Sequence, residues 1–133
     1  MQTEIVQQLA DRQAIADLVM RLARMLDENR FDDAPAILAD EATVRTAGGA
    51  SRGRAAVVEQ ARRNHAVPTQ HVITNLLIDL DGDRAEARAN LLVTFAPDAE
   101  APTMLGERYR FEAVREPVGW RLSAIAVEAV WRR

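Results

Sequence analysis

Apolar residues near the start of the chain recur with the spacing of a single helix face. Between residues 15 and 26 they fall at i, i+3, i+4 and i+7, and Ile5 and Leu9 continue the pattern towards the N-terminus. Polar and charged residues fill most of the remaining positions. The pattern predicts a long helix over residues 3–27, with one face directed at a core.

Two shorter helices and one short strand follow. The first of these helices is indicated by Asp32 or Asp33 as its N-cap and by Pro35 in its first turn. Residues 42–47 then have the composition of a short strand, which two glycines close. Residues 54–65 return to a helical pattern.

The second half of the chain changes to the alternating pattern of strands. Residues 71–80 and 84–95 flank Asp81-Gly82, which is a strong signal for a two-residue hairpin turn. Two more strands are predicted over residues 105–115 and 120–131. Three helices followed by four long strands indicate an α+β protein, and residues 1–133 fit one domain.

The predicted turn decides which hairpin residues share a face. With Asp81-Gly82 as the loop, His71 lies opposite Leu92, and Asn90 falls on the same mixed polar and apolar face as His71. The opposite face is almost wholly apolar and comprises Val72, Thr74, Leu76, Ile78, Leu80, Ala85, Ala87, Ala89 and Leu91. Either this apolar face is the core and the mixed face is solvated, or the mixed face lines a cavity and the apolar face meets a partner subunit. A β-bulge would exchange the two faces.

The composition narrows the classes of function. The formal net charge is −3, so the chain lacks the basic excess that nucleic-acid-binding domains carry. The absence of cysteine excludes disulfides and thiolate chemistry. No signal peptide and no apolar stretch of membrane-spanning length stands out, so we expect a cytoplasmic protein with neither a nucleic-acid nor a membrane partner.

Asp27 and His71 are the first candidates for chemistry. Asp27 ends the long helix, where a carboxylate meets the negative end of the helix dipole and needs a compensating contact unless it is solvated. His71 begins the hairpin. It is either an ordinary strand histidine bonded to a backbone carbonyl or, if it meets Asp27, a general base. The residues alone leave both alternatives open.

Each remaining candidate has a structural explanation beside a functional one. His65 fits a helix C-terminal cap, Asn90 is a substrate contact or a solvated strand residue, and Tyr109 reaches a cavity or is a half-buried strand residue. Trp120 and Trp131 are expected to anchor the core or an interface. Two histidines without metal-ligand spacing make a metal site unexpected, and no other cofactor is expected.

Four segments carry a resemblance to a known family. They are DRQAIADLVMRLARMLDENRFDDAPAILADEATV (11–44), GRAAVVEQ (53–60), TQHVITNLLIDLDGDRAEA (69–87) and RYRFEAVREPVGWRL (108–122). In this order they resemble the SnoaL-like branch of the NTF2-like superfamily, which includes scytalone dehydratase, polyketide cyclases and ketosteroid isomerase. The resemblance implies a cone in which about three N-terminal helices pack on a strongly curved, mainly antiparallel sheet that encloses a cavity. It also implies a homodimer that pairs through the sheet.

The resemblance assigns roles to particular residues. Asp27 and His71 match a catalytic aspartate and histidine of scytalone dehydratase, so they are expected to be the catalytic pair. Leu26 and Thr46 stand where that enzyme has tyrosines, and its second catalytic histidine has no counterpart. Scytalone dehydration itself is therefore not expected, nor is ketosteroid isomerase chemistry, whose oxyanion hole has no clear equivalent. The residues expected to bind substrate are Thr46, Asn90 and Tyr109.

The leading hypothesis is a cofactor-independent enzyme of the lyase, isomerase or cyclase type. His71, oriented by Asp27, would move a proton next to a carbonyl or hydroxyl group of a small hydrophobic or aromatic molecule. The alternative is a non-catalytic member of the same fold that binds a small ligand or forms a dimeric scaffold. A third hypothesis is an accessory subunit, because this fold also forms the structural half of ring-hydroxylating dioxygenases. Fold alone does not choose among them.

Overall fold

The computed structural model describes residues 2–133, which form three helices and six strands. They are α1 (Gln2–Asp27), α2 (Ala34–Ile37), β1 (Leu38–Thr46), β2 (Gly49–Arg52), α3 (Arg54–Asn64), β3 (Thr69–Asp81), β4 (Arg84–Phe95), β5 (Thr103–Glu116) and β6 (Gly119–Arg132). A 3₁₀ turn at Phe31–Asp33 precedes α2. The predicted long helix, the two shorter ones and the four long strands are confirmed.

All six strands belong to one mixed sheet in the order β2-β1-β6-β5-β4-β3. β1 runs parallel to β6, whereas every other neighbouring pair is antiparallel. Helix α1 packs on β3 and β6, and α3 packs on β1 and β2. The sheet is curved and does not close on itself, so the predicted α+β fold is confirmed.

The core lies between the helices and one face of the sheet, the inner face. Helix α1 buries the apolar stripe that its periodicity predicts, which consists of Ile15, Leu18, Val19, Leu22, Met25 and Leu26. The largest fully buried side chain on the sheet is Phe111 of β5. Within the described residues, no helix combines the length and apolar character needed to cross a bilayer.

The first two strands differ from the prediction of one short strand over residues 42–47. Strand β1 begins at Leu38, directly after α2, and is nine residues long. The two glycines do not end the sheet, because Gly49 starts the four-residue strand β2, which pairs back on β1. Gly49 has φ 133°, a backbone conformation that glycine adopts readily and that residues with a Cβ atom rarely adopt.

The β3–β4 hairpin turns one residue later than predicted. Asp81 pairs with Arg84, so the two loop residues are Gly82 and Asp83. Gly82 has φ 62°, which fits the left-handed backbone of a tight hairpin turn. The dipeptide Asp81-Gly82 therefore marks the correct turn, but it sets the wrong register.

A bulge in β3 shifts the register a second time. It lies between Thr74 and Leu77, where Asn75 adopts the left-handed region at φ 57°. Such a bulge places one extra residue on one strand and reverses which side chains point inward beyond it. His71 consequently lies opposite Val93, and its predicted partner Leu92 is wrong.

The register decides which hairpin residues face the core. His71 and Ile73 point inward before the bulge, and the alternate residues Leu76, Ile78 and Leu80 do so after it. The alanines of β4 also belong to this inner face and are buried. Asn90 lies on the opposite, exposed outer face, so the prediction that it shares a face with His71 is wrong.

A charged cluster ties the first half of α1 to the sheet. The Asp11 carboxylate accepts hydrogen bonds from two guanidinium nitrogens of Arg115, at 2.9 and 2.7 Å, and from the indole N–H of Trp120 at 3.1 Å. Gln7 donates a further hydrogen bond at 2.9 Å. Arg115 also bonds to Asp83 in the β3–β4 turn, so the cluster joins α1 to two hairpins of the sheet.

Candidate active site

Asp27 is the last residue of α1, and its carboxylate binds the first residues of β3. The Thr69 hydroxyl donates to Oδ1 at 3.0 Å, and the backbone N–H of His71 donates to Oδ2 at 2.9 Å. The His71 ring nitrogen Nδ1 lies 2.5 Å from Oδ1. These three donors compensate the unfavourable position of a carboxylate at a helix C-terminus. The structure therefore brings the two principal candidates into direct contact.

The contact with Asp27 fixes the tautomer and the orientation of the neutral His71 ring. The His71 side chain is only 1% exposed, whereas that of Asp27 is 20% exposed. Because an ionised carboxylate can only accept, the neutral ring carries its proton on Nδ1, and Nε2 keeps a free lone pair. A histidine held in one tautomer and one orientation is the arrangement that a general base requires.

A narrow cavity of about 60 Å³ lies between α1, α3 and the inner face of the sheet. Its apolar lining residues are Leu22, Met25, Leu26, Val44, Val57, Ala61, Ile125 and Val127. Its polar lining residues are Thr46, Gln60, Asn64, His65 and Tyr109. Sites for drug-sized ligands measure roughly 300–1,000 Å³, so a ligand of that size enters only if lining side chains move.

Tyr109 and Thr46, two of the residues expected to bind substrate, line this cavity. Tyr109 is buried, and burial raises its pKa well above the ordinary value, with Glu107 and Asp27 adding to the effect. Its hydroxyl therefore stays protonated and able to donate a hydrogen bond. The Thr46 hydroxyl accepts a hydrogen bond from the backbone N–H of Gly48 at 2.9 Å.

Asn90, the third residue expected to bind substrate, lies apart from the cavity. It lines an open groove of about 490 Å³ on the outer face, together with Asn75, Arg88, Arg108 and Glu128. The strands of the sheet separate this groove from the inward-pointing His71. A ligand contact made by Asn90 would therefore belong to the groove rather than to the site beside Asp27.

The structure adds His65 to the site. Its Nδ1 lies 2.8 Å from the carbonyl oxygen of Ala61, which confirms the expected helix cap. The same ring lines the cavity, and its centroid lies 5.3 Å from that of His71, which itself is not among the lining residues. His65 thus stands next to both the cavity and the Asp27–His71 pair. The sequence signal was its spacing, four residues after Ala61 and eight after Val57, two residues that also line the cavity.

The two histidines do not combine with carboxylates into a recognisable metal site. Within residues 2–133, no group of three or more histidine, cysteine, aspartate or glutamate side chains is placed to hold a metal ion. Each histidine already uses Nδ1, His65 towards Ala61 and His71 towards Asp27. The arrangement is a pair of neighbouring rings, each of which makes its hydrogen bond through Nδ1.

Known proteins resemble this chain in sequence and in fold. The family model described as the SnoaL-like domain matches residues 7–126. An uncharacterised protein of Mycobacterium tuberculosis is 30% identical over 125 residues, which cover 88% of this chain and 84% of that protein. The solved structure of the hexachlorocyclohexane dehydrochlorinase LinA-type3 from Novosphingobium barchaimii is similar with a TM-score of 0.88 at 19% identity, covering 96% of this chain and 92% of that one. A proposed scytalone dehydratase from Novosphingobium aromaticivorans is similar with a TM-score of 0.85 at 18% identity, covering 95% and 88%.

Proposed function

The chain belongs to the SnoaL-like family, and on that premise we propose that it is an enzyme in which Asp27 and His71 move a proton on a small, mainly apolar molecule. The observation that carries this proposal is the Asp27–His71 contact itself. A buried imidazole is held in one tautomer by a carboxylate that three donors orient, and its ring centroid lies 5.3 Å from that of His65, which lines the cavity. We propose that the reaction needs no cofactor.

The chemistry follows from the free Nε2 of His71. Nε2 accepts a proton from a carbon next to a carbonyl group or next to a carbon that bears a leaving group. The electron pair of the broken C–H bond forms a C=C bond, and either the leaving group departs with its bonding pair or the carbonyl oxygen takes up the charge. The negative carboxylate of Asp27 offsets the positive charge on the ring. The protonated Tyr109 hydroxyl donates a hydrogen bond to the oxygen that becomes negative.

Structural neighbours support elimination as the reaction type. A dehydrochlorinase removes hydrogen chloride and a dehydratase removes water, and these are the activities for which two similar structures are named. Both reactions break a C–H bond on the carbon beside the leaving group. An oriented Asp-His pair that can remove a proton from carbon suits this class of lyase, and proton return to another carbon would give an isomerase or a cyclase.

A second candidate function rests on the burial of the pair. Asp27 receives all three of its hydrogen bonds from the start of β3, so the contact also clamps the end of α1 to the sheet. A non-catalytic member of the family that binds a small ligand would retain such a clamp for stability alone. In that case, the protein would bind a compound without exchanging any of its carbon-bound protons.

The first experiment incubates the protein with two probes, β-hydroxycyclohexanone and γ-hexachlorocyclohexane, in D₂O. NMR then follows loss of water, release of hydrogen chloride and deuterium uptake at carbon. Turnover or exchange above the buffer rate supports the proposed chemistry. Tight binding of either probe, with neither exchange nor elimination, would support the ligand-binding alternative instead.

We also propose that the protein is a homodimer, although not through the surface indicated by the sequence. Leu76, Ile78 and the alanine row belong to the core. The outer face instead presents one cross-strand row that consists of Val72, Leu92, Gly106 and Trp131. The Trp131 indole lies so close to Gly106 that a Cβ atom there would collide with it. Three of these side chains are apolar and exposed, which leaves an apolar stripe for a partner.

A second copy is the partner that fits this stripe. The outer face carries a basic cross-strand row, Arg88 opposite Arg110, next to an acidic row, Glu86 opposite Glu112. Arg110 lies 4.0 Å from Glu86 across these two rows, and Arg108 lies 3.9 Å from Glu128. Both pairs are long and solvent-exposed, so their charges remain free to pair across an interface. A two-fold axis can place the basic row of one copy against the acidic row of the other.

The substitution Leu92→Asp is expected to weaken self-association by about 100-fold or more, because the two-fold axis buries two unpaired carboxylates in the stripe. Sedimentation velocity over a range of micromolar concentrations measures this shift. Val118→Asp is the matched control, since Val118 is 75% exposed in the β5–β6 turn, away from the stripe. A wild-type protein that sediments as a monomer throughout, or an unchanged dimer with Leu92→Asp, would count against this interface.

A further inference from the structure

His65 has a second ring nitrogen that its capping role leaves unused. The ring donates from Nδ1 to the carbonyl oxygen of Ala61, at 2.8 Å, when it is neutral. That bond fixes the tautomer, so Nε2 carries a lone pair and can only accept a hydrogen bond. Because His65 lines the cavity, its ring lies within reach of a molecule bound there.

The surroundings of His65 favour its neutral form. Burial lowers its pKa, and the neighbouring ring of His71 adds to this, whereas the Ala61 carbonyl and Asp27 act in the opposite direction. The ring also lies 6.2 Å from that of Phe95, centroid to centroid, in a stacked arrangement. An imidazole with two neighbouring rings and with Nδ1 bonded to Ala61 is held in one orientation.

We propose that His65 is a substrate-binding residue whose Nε2 accepts a hydrogen bond from a hydroxyl group of a ligand in the cavity. The preferred ligands are therefore small apolar molecules that carry at least one hydroxyl group. Tyr109 lines the same cavity and supplies a donor, so a hydroxyl beside a carbonyl, or a hydroxyl that both donates and accepts, satisfies the two residues together. This inference names the substrate class for the function proposed above and rests on it, but ligand binding to His65 does not require catalysis.

Two substitutions separate the nitrogen that caps the helix from the nitrogen that meets the ligand. In His65→Asn the amide reaches the position of Nδ1 and keeps the cap, but no group replaces Nε2. In His65→Gln the longer amide reaches the region of Nε2, but the cap to Ala61 is lost. If His65 has only a structural role, His65→Gln should lower stability more than His65→Asn and neither change should affect the preference for a hydroxyl group. If His65 binds the ligand, His65→Asn should weaken that preference more than His65→Gln.

Phenol and anisole are the probes, because they have similar rings and only phenol can donate a hydrogen bond. NMR titration of each into the wild-type protein and both variants gives the ratio of the two affinities. The wild-type protein is expected to favour phenol by about twofold to tenfold, the range of one net hydrogen bond. The preference should disappear in His65→Asn and survive in part in His65→Gln. Equal affinity for the two probes, no phenol binding at its solubility limit, or a phenol preference retained in His65→Asn would each overturn the proposal.

A second measurement needs no ligand. Nitrogen-15 chemical shifts of the two imidazoles report the tautomer, and the variant His71→Asn assigns which signals belong to His65. The proposal expects His65 to be neutral at pH 7 with its proton on Nδ1. A proton on Nε2, or a charged ring at that pH, would contradict it. Neither the phenol titration nor the tautomer measurement depends on turnover. A negative result for His65 therefore leaves the catalytic role proposed for His71 untouched, and the absence of turnover leaves both His65 measurements valid.

Discussion

Replacing His71 by asparagine is expected to lower turnover by about 10²- to 10⁴-fold, the usual contribution of a positioned general base. The asparagine amide lies near the position of Nδ1 and can still donate to Asp27, so the contact that holds α1 to β3 survives. No atom replaces Nε2, which is the proposed proton acceptor. Activity on whichever probe the wild-type protein converts is measured together with thermal unfolding, and only activity should fall.

Asp27→Asn is the informative partner of that variant. The Asp27 carboxylate accepts from both the ring and the backbone N–H of His71. An amide has only one accepting oxygen. When it accepts from the backbone N–H, the N–H₂ group faces Nδ1, and the ring places its proton on Nε2 so that Nδ1 can accept there. We therefore expect this variant to lose activity, because Nε2 is no longer a free base, and to lose less than about 1 kcal/mol of stability, because each buried donor keeps a partner. In the double variant the two losses of activity should not add, because both changes act on one pair.

Activity that persists at the wild-type level in His71→Asn would show that His71 is not the base. The Asp27–His71 contact would then be a structural clamp, and the ligand-binding function would become the better account. A variant that loses activity and unfolds at a much lower temperature would not separate the two functions. His71→Gln, which lacks the Nδ1 position, then serves as the comparison, since a clamp predicts that it is the less stable of the two.

Periodicity was sufficient to predict the elements of this fold, because burial imposes it directly on the sequence. The stripe on α1 and the alternation along β4 are both visible as patterns, and both form as expected. Register was not predictable in the same way. It depends on the exact position of the hairpin turn and on Asn75 adopting φ 57°, a local backbone choice that leaves no periodic trace. The bulge at Asn75 places His71 and Asn90 on opposite faces of the sheet.

The sequence predicts those residues of the candidate site that lie at the end of a helix or at the start of a strand. Asp27 ends a helix and His71 opens a strand, so their positions along the chain are clear, and a resemblance was enough to pair them. His65 was harder to recognise, because a histidine after a helix is fully explained as a cap. Its proposed second role depends on the cavity that forms only when α3 packs against the sheet. The sequence also marks Asp11, whose position four residues before Ile15 places a charge within the buried stripe of α1.

Replacing Asp11 by alanine is expected to be the most destabilising single change outside the apolar core. The change removes the acceptor of two bonds from Arg115 and one from Trp120. Breaking a fully buried pair costs ~3–5 kcal/mol, and the Arg115 side chain is 33% exposed, so water compensates part of the loss. We expect the free energy of unfolding in urea to fall by about 2–3 kcal/mol. Asp17→Asn is the control, because Asp17 has only an exposed bond from Gln13 and should cost less than ~0.5 kcal/mol.

The same carboxylate makes stability depend on pH in a defined window. The hydrogen bond from Arg115, with smaller contributions from Trp120 and Gln7, lowers the pKa of Asp11 from 3.8 to about 2 in the folded protein. The unfolded chain therefore binds this proton more readily than the folded protein, and acid favours unfolding. The stabilisation is complete above pH 3.8 and is lost as the pH falls towards 2. The advantage of the wild-type protein over Asp11→Asn should accordingly be constant at higher pH and shrink through that window, and an advantage that stays constant down to pH 2 would show that the negative charge of Asp11 is not what stabilises the cluster.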